Sequence, residues 1–179
     1  HHWKRRFVAL ANPNVEDHAL DLCCGTGDVS FALADSGTQV TGLDFSQVML
    51  DYAKVRDELT RVTFQRGDAL ATGFPDNHFE IVTIAYGLRN LADFEGGLRE
   101  MYRVAKPGGR IMVLDFGKPS FAPWRWAYFT YLKWMVPVFG KIFCRDAPAY
   151  AYIHESLEHY PAQDGVDQML RNLGCHNVA

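Results

Sequence analysis

Residues 19–28 read ALDLCCGTGD, and this stretch decides the fold. A short apolar run ends in two closely spaced glycines, Gly25 and Gly27, and an apolar segment of helical character follows at 29–33. The pattern predicts a strand, a tight turn and the start of a helix. Glycine adopts backbone angles closed to other residues and leaves no side chain in a ligand's way. Because the first N–H groups of a helix are also free to bind, the turn is a predicted small-molecule site.

The residues of this turn indicate which small molecule it binds. A dinucleotide-binding turn reads G-x-G-x-x-G, whereas Ser30 stands here at the third glycine position. Asp28 also places a carboxylate where a pyrophosphate would sit, and the two would repel. S-adenosylmethionine has a sulfonium, an ammonium and no phosphate, so it suits the turn better than a nicotinamide dinucleotide. The alternative interpretation is a strand–helix turn whose glycines serve geometry alone.

Size and composition bound the class of protein. The chain has 179 residues, enough for one domain with a full core, and we expect a single domain over 1–179. Apolar content of 48% and charged content of 22% are typical of a soluble globular protein. A net charge of −3 gives no reason to expect a nucleic-acid partner. The four cysteines form no C-x-x-C pair, so we expect reduced thiols, no metal site and a cytoplasmic protein without a signal peptide.

Strands and helices alternate along the chain. Predicted strands cover 19–23, 39–43, 62–64, 79–85 and 110–116. Predicted helices cover 1–11, a segment ending near 35, a segment capped by Ser46, and 94–104, and the sequence KPGG at 106–109 predicts a turn. This alternation predicts an α/β fold with a doubly wound, mostly parallel sheet and helices on both faces.

Ligands of such sheets bind at the carboxyl ends of the strands. Acids follow successive predicted strands here, and Asp44 lies 17 positions after Gly27, near the spacing of a carboxylate that binds ribose hydroxyls. We expect Asp68 to accept from the adenine amino group, Ala69 to donate its N–H to the ring, and Met49 to cover an adenine face. Solvated loop carboxylates are the alternative for each acid alone, but acids at successive strand ends are a stronger signal.

Several motifs together resemble a known family. They are D-x-C-C-G-T-G-D, G-L-D-F-S, G-D-A, F-P-D-N-x-F-E, Y-G-L-R-N and K-P-G-G. They resemble the class I S-adenosylmethionine-dependent methyltransferases with a Rossmann-like fold, and more narrowly the ubiquinone/menaquinone biosynthesis C-methyltransferases. The tetrad at 87–90 is the most specific motif, and the resemblance covers nearly the whole chain. It implies C-methylation of a polyprenylated quinol, most directly demethylmenaquinol. The alternatives are another hydrophobic acceptor and a non-catalytic cofactor-binding scaffold.

The resemblance also implies roles for individual residues. It places Thr26, Asp44, Asp68, Ala69 and Ala85 against the cofactor, and Arg89 and Asn90 in the catalytic region. The full predicted cofactor site is Asp21, Gly25, Thr26, Gly27, Asp44, Met49, Asp68, Ala69 and Ala85. We hypothesise that Arg89 stabilises a phenolate oxygen and that Asn90 orients this oxygen or a water. The alternative is a loop-anchoring pair bonded to backbone carbonyls. Weaker candidates for a general base are Tyr86, Tyr150, Tyr152 and His154.

An aromatic segment with interspersed basic residues occupies 121–143. One interpretation is a lid, within a helical insertion at 117–160, that binds the isoprenoid tail or contacts a membrane surface peripherally. The other is an ordinary pair of amphipathic helices that complete the core. The resemblance further implies a missing N-terminal segment and an incomplete C-terminal strand pair, which begins at 175–179. The sequence is compatible with a monomer or a homo-oligomer.

Overall fold

The computed structural model of the chain describes residues 2–119, 121–135, 156–157 and 160–178. The chain divides into a first unit, residues 1–115, and a second unit, residues 116–179. The elements of the first unit are α1 (His2–Ala11), β1 (His18–Leu22), α2 (Asp28–Ala34), β2 (Gln39–Asp44), α3 (Gln47–Arg56), β3 (Val62–Arg66), β4 (Phe79–Ala85), a 3-10 helix (Leu88–Asn90), α4 (Phe94–Val104) and β5 (Ala105–Leu114).

The five strands of the first unit form one sheet in the order β3-β2-β1-β4-β5. Every pairing in this sheet is parallel. The chain moves outward from β1 to β3 on one side and then returns to place β4 on the other side of β1. Because strand crossovers are right-handed, helices that follow these two directions lie on opposite faces. The predicted doubly wound fold is confirmed, and its topological switch point lies between β1 and β4.

Central strands bury both faces, which explains their nearly continuous apolar sequences. Leu20 and Leu22 of β1 and Ile81 and Ile84 of β4 are fully buried. On one face of the sheet, the apolar side of α1 packs with α2 in a single cluster. On α4, the buried residues include Leu98, Met101 and Val104, which lie three residues apart on one side of the helix. The core therefore holds β1 and β4 rigidly, together with the loops that follow them.

Three strand boundaries differ from the predictions by two residues or more, and one of them is the end of β5, at Leu114 instead of residue 116. Strand β3 continues to Arg66, because its last residues pair with β2 up to Asp44. The predicted turn at 106–109 lies inside β5: Phe79 pairs with Ala105, whereas Ile81 already pairs with Arg110. The intervening residues bulge out, and Gly108 has a φ of 77°, which favours glycine. The predicted turn therefore corresponds to the bulge at 106–109, whereas the predicted start of the strand at 110 was wrong, because β5 begins at Ala105.

The second unit contains α5 (Ala122–Thr130), a π-helical turn (Tyr131–Met135) and α6 (Ala162–Asn172). The side chain of Gln163 on α6 accepts from the backbone N–H of Lys118 at 2.8 Å and donates to its carbonyl at 2.5 Å. Residues 175–178 form no strand. In the described part of the chain, no helix is long and apolar enough to cross a membrane. Much of the predicted insertion at 117–160 lies outside the described residues.

Candidate active site

A cavity of about 280 Å³ opens at the carboxyl ends of β1 and β4. Its lining comes from α1, from the turn between β1 and α2, from α3 and from the end of β4. The lining residues are Lys4, Asp21, Cys23, Cys24, Gly25, Thr26, Asp28, Val29, Met49, Ala85 and Tyr86. The cavity thus lies at the switch point of the sheet, where a ligand is expected in this fold.

Gly25 and Gly27, the two glycines of the β1–α2 turn, have different structural roles. Both have positive φ, 53° at Gly25 and 83° at Gly27. A Cβ added at Gly25 would meet no atom within 4 Å and would project into open space at the cavity. A Cβ added at Gly27 would lie 2.9 Å from the ring of Phe31. Gly25 therefore leaves room for a ligand against the backbone, whereas Gly27, which does not line the cavity, allows close packing of α2.

Asp44 connects the end of β2 to the glycine turn. Its carboxylate accepts from the backbone N–H of Gly25 at 2.8 Å and from that of Ser46 at 2.8 Å. Ser46 in turn caps α3 as predicted, since its hydroxyl accepts from the N–H of Met49 at 3.4 Å. Asp44 therefore lies beside the cavity, although it is not part of the lining.

Asp68 and Ala69 lie beyond the end of β3, next to β2 in the sheet. The carboxylate of Asp68 accepts from the N–H of Leu70 at 2.9 Å, and Ala69 is buried. Neither residue lines the cavity, whereas Met49 lines it from α3. The two residues therefore stay predictions for the adenine end of a cofactor.

Asp21 is a buried carboxylate at the cavity. It is 1% exposed, and it accepts from the hydroxyls of Ser30 at 2.6 Å and Thr83 at 2.7 Å. Burial raises the pKa of Asp21 to about 6, and the two hydroxyl hydrogen bonds only partly oppose this rise. Such a group favours a cationic ligand, since a positive charge nearby stabilises the carboxylate.

The two cysteines of the lining are not nucleophiles. Burial raises the pKa of Cys23 to about 12, and nearby carboxylates, Asp44 first among them, add to the rise. Burial also raises the pKa of Cys24. Cysteine reacts as the thiolate, so both side chains stay protonated and inert at neutral pH. The raised pKa values therefore give no support for covalent catalysis through a cysteine at this cavity.

Asp28 is paired with cations from two helices. Its carboxylate contacts Lys4 Nζ of α1 at 2.6 Å and Arg56 Nη1 of α3 at 2.8 Å. The hydrogen bond from Lys4 lowers the pKa of Asp28, and Arg56 contributes to the same effect. A pyrophosphate at this turn would therefore be repelled less than the sequence predicts, because the charge of Asp28 is already compensated.

The loop after β4 is held in an unusual conformation. Tyr86, which lines the cavity, has a φ of 59°, rare for a residue with a side chain. Arg89 forms an ion pair with Asp115 at 2.8 Å, with side chains that are 9% and 2% exposed. Arg89 Nη1 and Asn90 Nδ2 both donate to the carbonyl of Tyr86, at 2.9 and 3.1 Å. These are the contacts of the loop-anchoring interpretation, and neither Arg89 nor Asn90 lines the cavity.

The structure thus brings together part of the predicted site. The predicted residues that line the cavity are Asp21, Gly25, Thr26, Met49 and Ala85. Sequence reasoning did not assign Lys4, Val29 or the two cysteines to the site, although Lys4 belongs to a basic segment of α1. The proposed bases Tyr150, Tyr152 and His154 lie outside the described residues.

The donors and acceptors at this cavity fit S-adenosylmethionine. Gly25 leaves space against the backbone, Asp21 and Asp28 offer carboxylates to a cationic ligand, and Lys4 offers a cation to an anionic group. The parallel sheet and the strand-end cavity define a class I methyltransferase of the Rossmann-like type. Comparison with protein families matches residues 1–179 to the ubiE/COQ5 methyltransferase family. The chain belongs to this family and is a methyltransferase that uses S-adenosylmethionine.

Individual relatives agree with this assignment. The demethylmenaquinone methyltransferase of Anoxybacillus flavithermus is 40% identical over 182 residues, covering 98% of this chain and 77% of the relative. A structure described as a putative methyltransferase from Bacillus halodurans has a TM-score of 0.74 at 22% identity, covering 97% of this chain and 69% of that one. A SAM dependent methyltransferase from Aquifex aeolicus has a TM-score of 0.59 at 21% identity, covering 66% of each chain. These two structures support the fold.

Proposed function

We propose that this chain transfers the methyl group of S-adenosylmethionine to a ring carbon of a polyprenylated quinol, with demethylmenaquinol as the substrate. The observation that carries the proposal is the 40% identity to a demethylmenaquinone methyltransferase across 98% of this chain. The strand-end cavity supports the cofactor half of the reaction, because its lining combines an open glycine turn with carboxylates for a cationic ligand.

The proposed cofactor site extends from Asp21 at β1 to Asp68 beyond β3. Gly25 and Thr26 lie against the cofactor. Asp44 accepts hydrogen bonds from the ribose hydroxyls, and these replace the hydrogen bond that it now accepts from the Gly25 N–H. Met49 covers the adenine, whose edge faces Asp68 and Ala69. Ala85 at the end of β4 lies near the methyl group. Gly27 contributes through the close packing of α2 rather than through contact.

Methyl transfer from a sulfonium is an in-line displacement with an already activated donor, so positioning is the main task of the enzyme. S-adenosylmethionine bound at this site would supply the methyl group to the quinol ring carbon, with the electron pair of the broken carbon–sulfur bond leaving on S-adenosylhomocysteine. The ring carbon would then lose its proton to a water. The ring is nucleophilic only when reduced, and most strongly as a phenolate. A group that stabilises the phenolate oxygen therefore accelerates the reaction.

We assign this stabilisation to Arg89, with Asn90 orienting the oxygen or a water. Arginine stays protonated in proteins, so it acts as a fixed charge and not as a base. Its ion pair with Asp115 and its bond to the Tyr86 carbonyl hold that charge at the end of β4. The same contacts would also serve a residue that only anchors the loop, so the two roles require a direct test.

Two variants separate these roles. Arg89→Ala removes both the charge and the anchor, and we expect kcat to fall by about 10²–10³-fold, as for other lost stabilising donors. Asp115→Asn weakens the anchor and keeps the charge, and we expect a loss of less than about tenfold. Steady-state kinetics with folding checked by circular dichroism provides the measurement. Equal losses in the two variants would assign Arg89 to loop anchoring only.

The assay for the function uses S-adenosylmethionine with a labelled methyl group and demethylmenaquinone, supplied either oxidised or reduced by dithionite. We expect label in the quinol ring carbon with the reduced acceptor and none with the oxidised one. A benzoquinol acceptor with the same tail measures the preference for the naphthoquinol ring. Cofactor binding without transfer to either quinol would overturn the proposal and favour a scaffold.

We also propose that the second unit approaches a membrane surface, where a polyprenylated quinol resides. Three aromatic side chains of 121–126 are about 70% exposed, namely Phe121, Trp124 and Trp126. Exposed aromatic residues of this kind favour the membrane interface. Flotation with vesicles of bacterial lipid composition should recover the protein, and recovery should fall in Trp124→Ala/Trp126→Ala. Equal recovery would overturn this proposal and leave these residues to a lid.

A further inference from the structure

The charges around the cavity are arranged in a specific way. Of the described residues that line it, Asp21 and Asp28 are acidic and Lys4 alone is basic. Both oxygens of Asp21 already accept from hydroxyls, those of Ser30 and Thr83. The charge of Asp28 is compensated by Lys4 and Arg56, so an anionic group of a ligand in this cavity faces chiefly the carboxylate of Asp21. Lys4 is the cationic side chain of the lining that it can bind.

S-adenosylmethionine carries such an anionic group, the α-carboxylate of its methionine part. The sulfonium and the ammonium of the cofactor are attracted by the carboxylate of Asp21, whereas the α-carboxylate is repelled by it. A cation at the lining removes this repulsion and also supplies hydrogen-bond donors. Lys4 meets this requirement from α1, an element that precedes the sheet and lies outside the predicted cofactor site.

The contacts of Lys4 leave it able to bind a ligand. Its Nζ donates to Asp28 Oδ2 at 2.6 Å, and this bond uses one of the three donors of an ammonium group. The other oxygen of Asp28 is held by Arg56 at 2.8 Å, from the opposite helix α3. Asp28 therefore keeps a partner even if Lys4 moves toward a ligand. The Lys4 side chain is 30% exposed, which leaves room for such a movement.

From this arrangement we infer that Lys4 binds the α-carboxylate of S-adenosylmethionine and so selects the carboxylated cofactor. Asp28 orients the ammonium group of Lys4, and Arg56 holds Asp28 in place. The inference rests on the proposed function, because it assumes S-adenosylmethionine in this cavity. The competing role for Lys4 is a structural one, a link between α1 and α2 through Asp28.

The test compares S-adenosylmethionine with decarboxylated S-adenosylmethionine, which differs only by the missing carboxylate. Calorimetric titration gives the dissociation constant of each, and their ratio within one variant is independent of the folded fraction. We expect wild type to prefer S-adenosylmethionine by roughly tenfold or more, the ratio expected for a charged contact. In Lys4→Met, which keeps the aliphatic stem, the ratio should fall to about one or below, because the repulsion of the α-carboxylate is no longer offset. Lys4→Arg should keep most of the preference.

Lys106→Met is the matched control, since Lys106 also pairs with a carboxylate, that of Glu80, but does not line the cavity. This variant should keep the wild-type ratio, even where it weakens the binding of both ligands. An unchanged ratio in Lys4→Met would overturn the inference and leave Lys4 with the structural role. Wild type that binds both ligands equally would also overturn it while leaving the proposed function intact. Wild type that binds neither ligand would overturn both.

Discussion

Asp21 joins the core to the chemistry of the cavity. It lies opposite Thr83 in the pairing of β1 with β4, and the Thr83 hydroxyl donates to it at 2.7 Å. An ionised carboxylate in this position costs stability, because burial raises its pKa from 3.8 to about 6. A cationic ligand offsets this cost. The buried carboxylate is therefore explained better by binding than by folding.

The stability of the protein should reflect this raised pKa. The folded state binds the Asp21 proton more tightly than the unfolded state, so the contribution is complete below pH 3.8 and is lost as pH rises through about 6. The loss amounts to roughly 3 kcal/mol. Asp21→Asn should remove it, because an amide bonds to both hydroxyls without a charge. Urea unfolding from pH 4 to pH 7 measures the effect, and parallel curves for variant and wild type would contradict it.

Gly87 sets the distance between the β4 loop and the β1 turn. A Cβ added here would lie 2.5 Å from Cys23 Cβ, too close for any real contact. Gly87→Ala should cost about 1–3 kcal/mol of unfolding free energy, as overpacking does, and should displace Tyr86 from the cavity. Cys23 has a φ of 52°, so Cys23→Gly fits the backbone. Combined with Gly87→Ala, this substitution removes the Cβ that the new methyl group would meet, so the double variant should regain unfolding free energy. A double variant less stable than Gly87→Ala would contradict this account.

Helix α4 fastens the loop that follows β3. Glu100 accepts from the N–H of Thr72 at 2.8 Å and from its hydroxyl at 2.6 Å, while Arg103 binds both of its oxygens. The hydrogen bonds from Arg103 contribute most to a pKa of about 2 for Glu100, and those from Thr72 add to them. The segment that carries Asp68 and Ala69 is thereby tied to the core.

Glu100→Gln should destabilise the protein by about 1–2 kcal/mol, a value discounted for the partial exposure of Arg103. The contribution of the carboxylate is present above pH 4.5 and is lost as pH falls toward about 2. Glu95→Gln is the control, since Glu95 binds Arg99 at 3.2 Å on the exposed side of the same helix. Thermal unfolding at pH 7 provides the comparison, and equal melting temperatures for the two variants would contradict the assigned role of Glu100.

Part of the fold and of the candidate site could be predicted from the sequence. Strands β1 and β4 are apolar because both of their faces are buried, and the strand-end position of Asp44 follows from chain order alone. Lys4 was not predictable as a cavity residue, because its contact with Asp28 depends on how α1 packs against α2. The bulge at 106–109 was likewise hidden, since its sequence is that of a turn and only pairing with β4 makes it part of β5.

For the whole molecule, the first unit contains every residue that lines the cavity. The switch point of the sheet places the cavity between β1 and β4, and the glycine turn opens it to a ligand. The account therefore depends first on whether S-adenosylmethionine lies against Gly25.

Two glycines make that question testable. Gly25 and Gly73 both have positive φ, 53° and 77°, and an added Cβ would meet no atom at either position. An alanine at either position should therefore lower the free energy of unfolding by a similar amount, about 1 kcal/mol, through backbone strain. Only Gly25 lines the cavity, so only there would the methyl group enter the space of a ligand.

The decisive measurement is calorimetric titration of wild type, Gly25→Ala and Gly73→Ala with S-adenosylmethionine, and of wild type with NAD. The account predicts equal affinity for wild type and Gly73→Ala, binding weaker by roughly tenfold or more in Gly25→Ala, and no heat with NAD. Binding of S-adenosylmethionine by Gly25→Ala as tight as by Gly73→Ala, or binding of NAD by wild type, would contradict it.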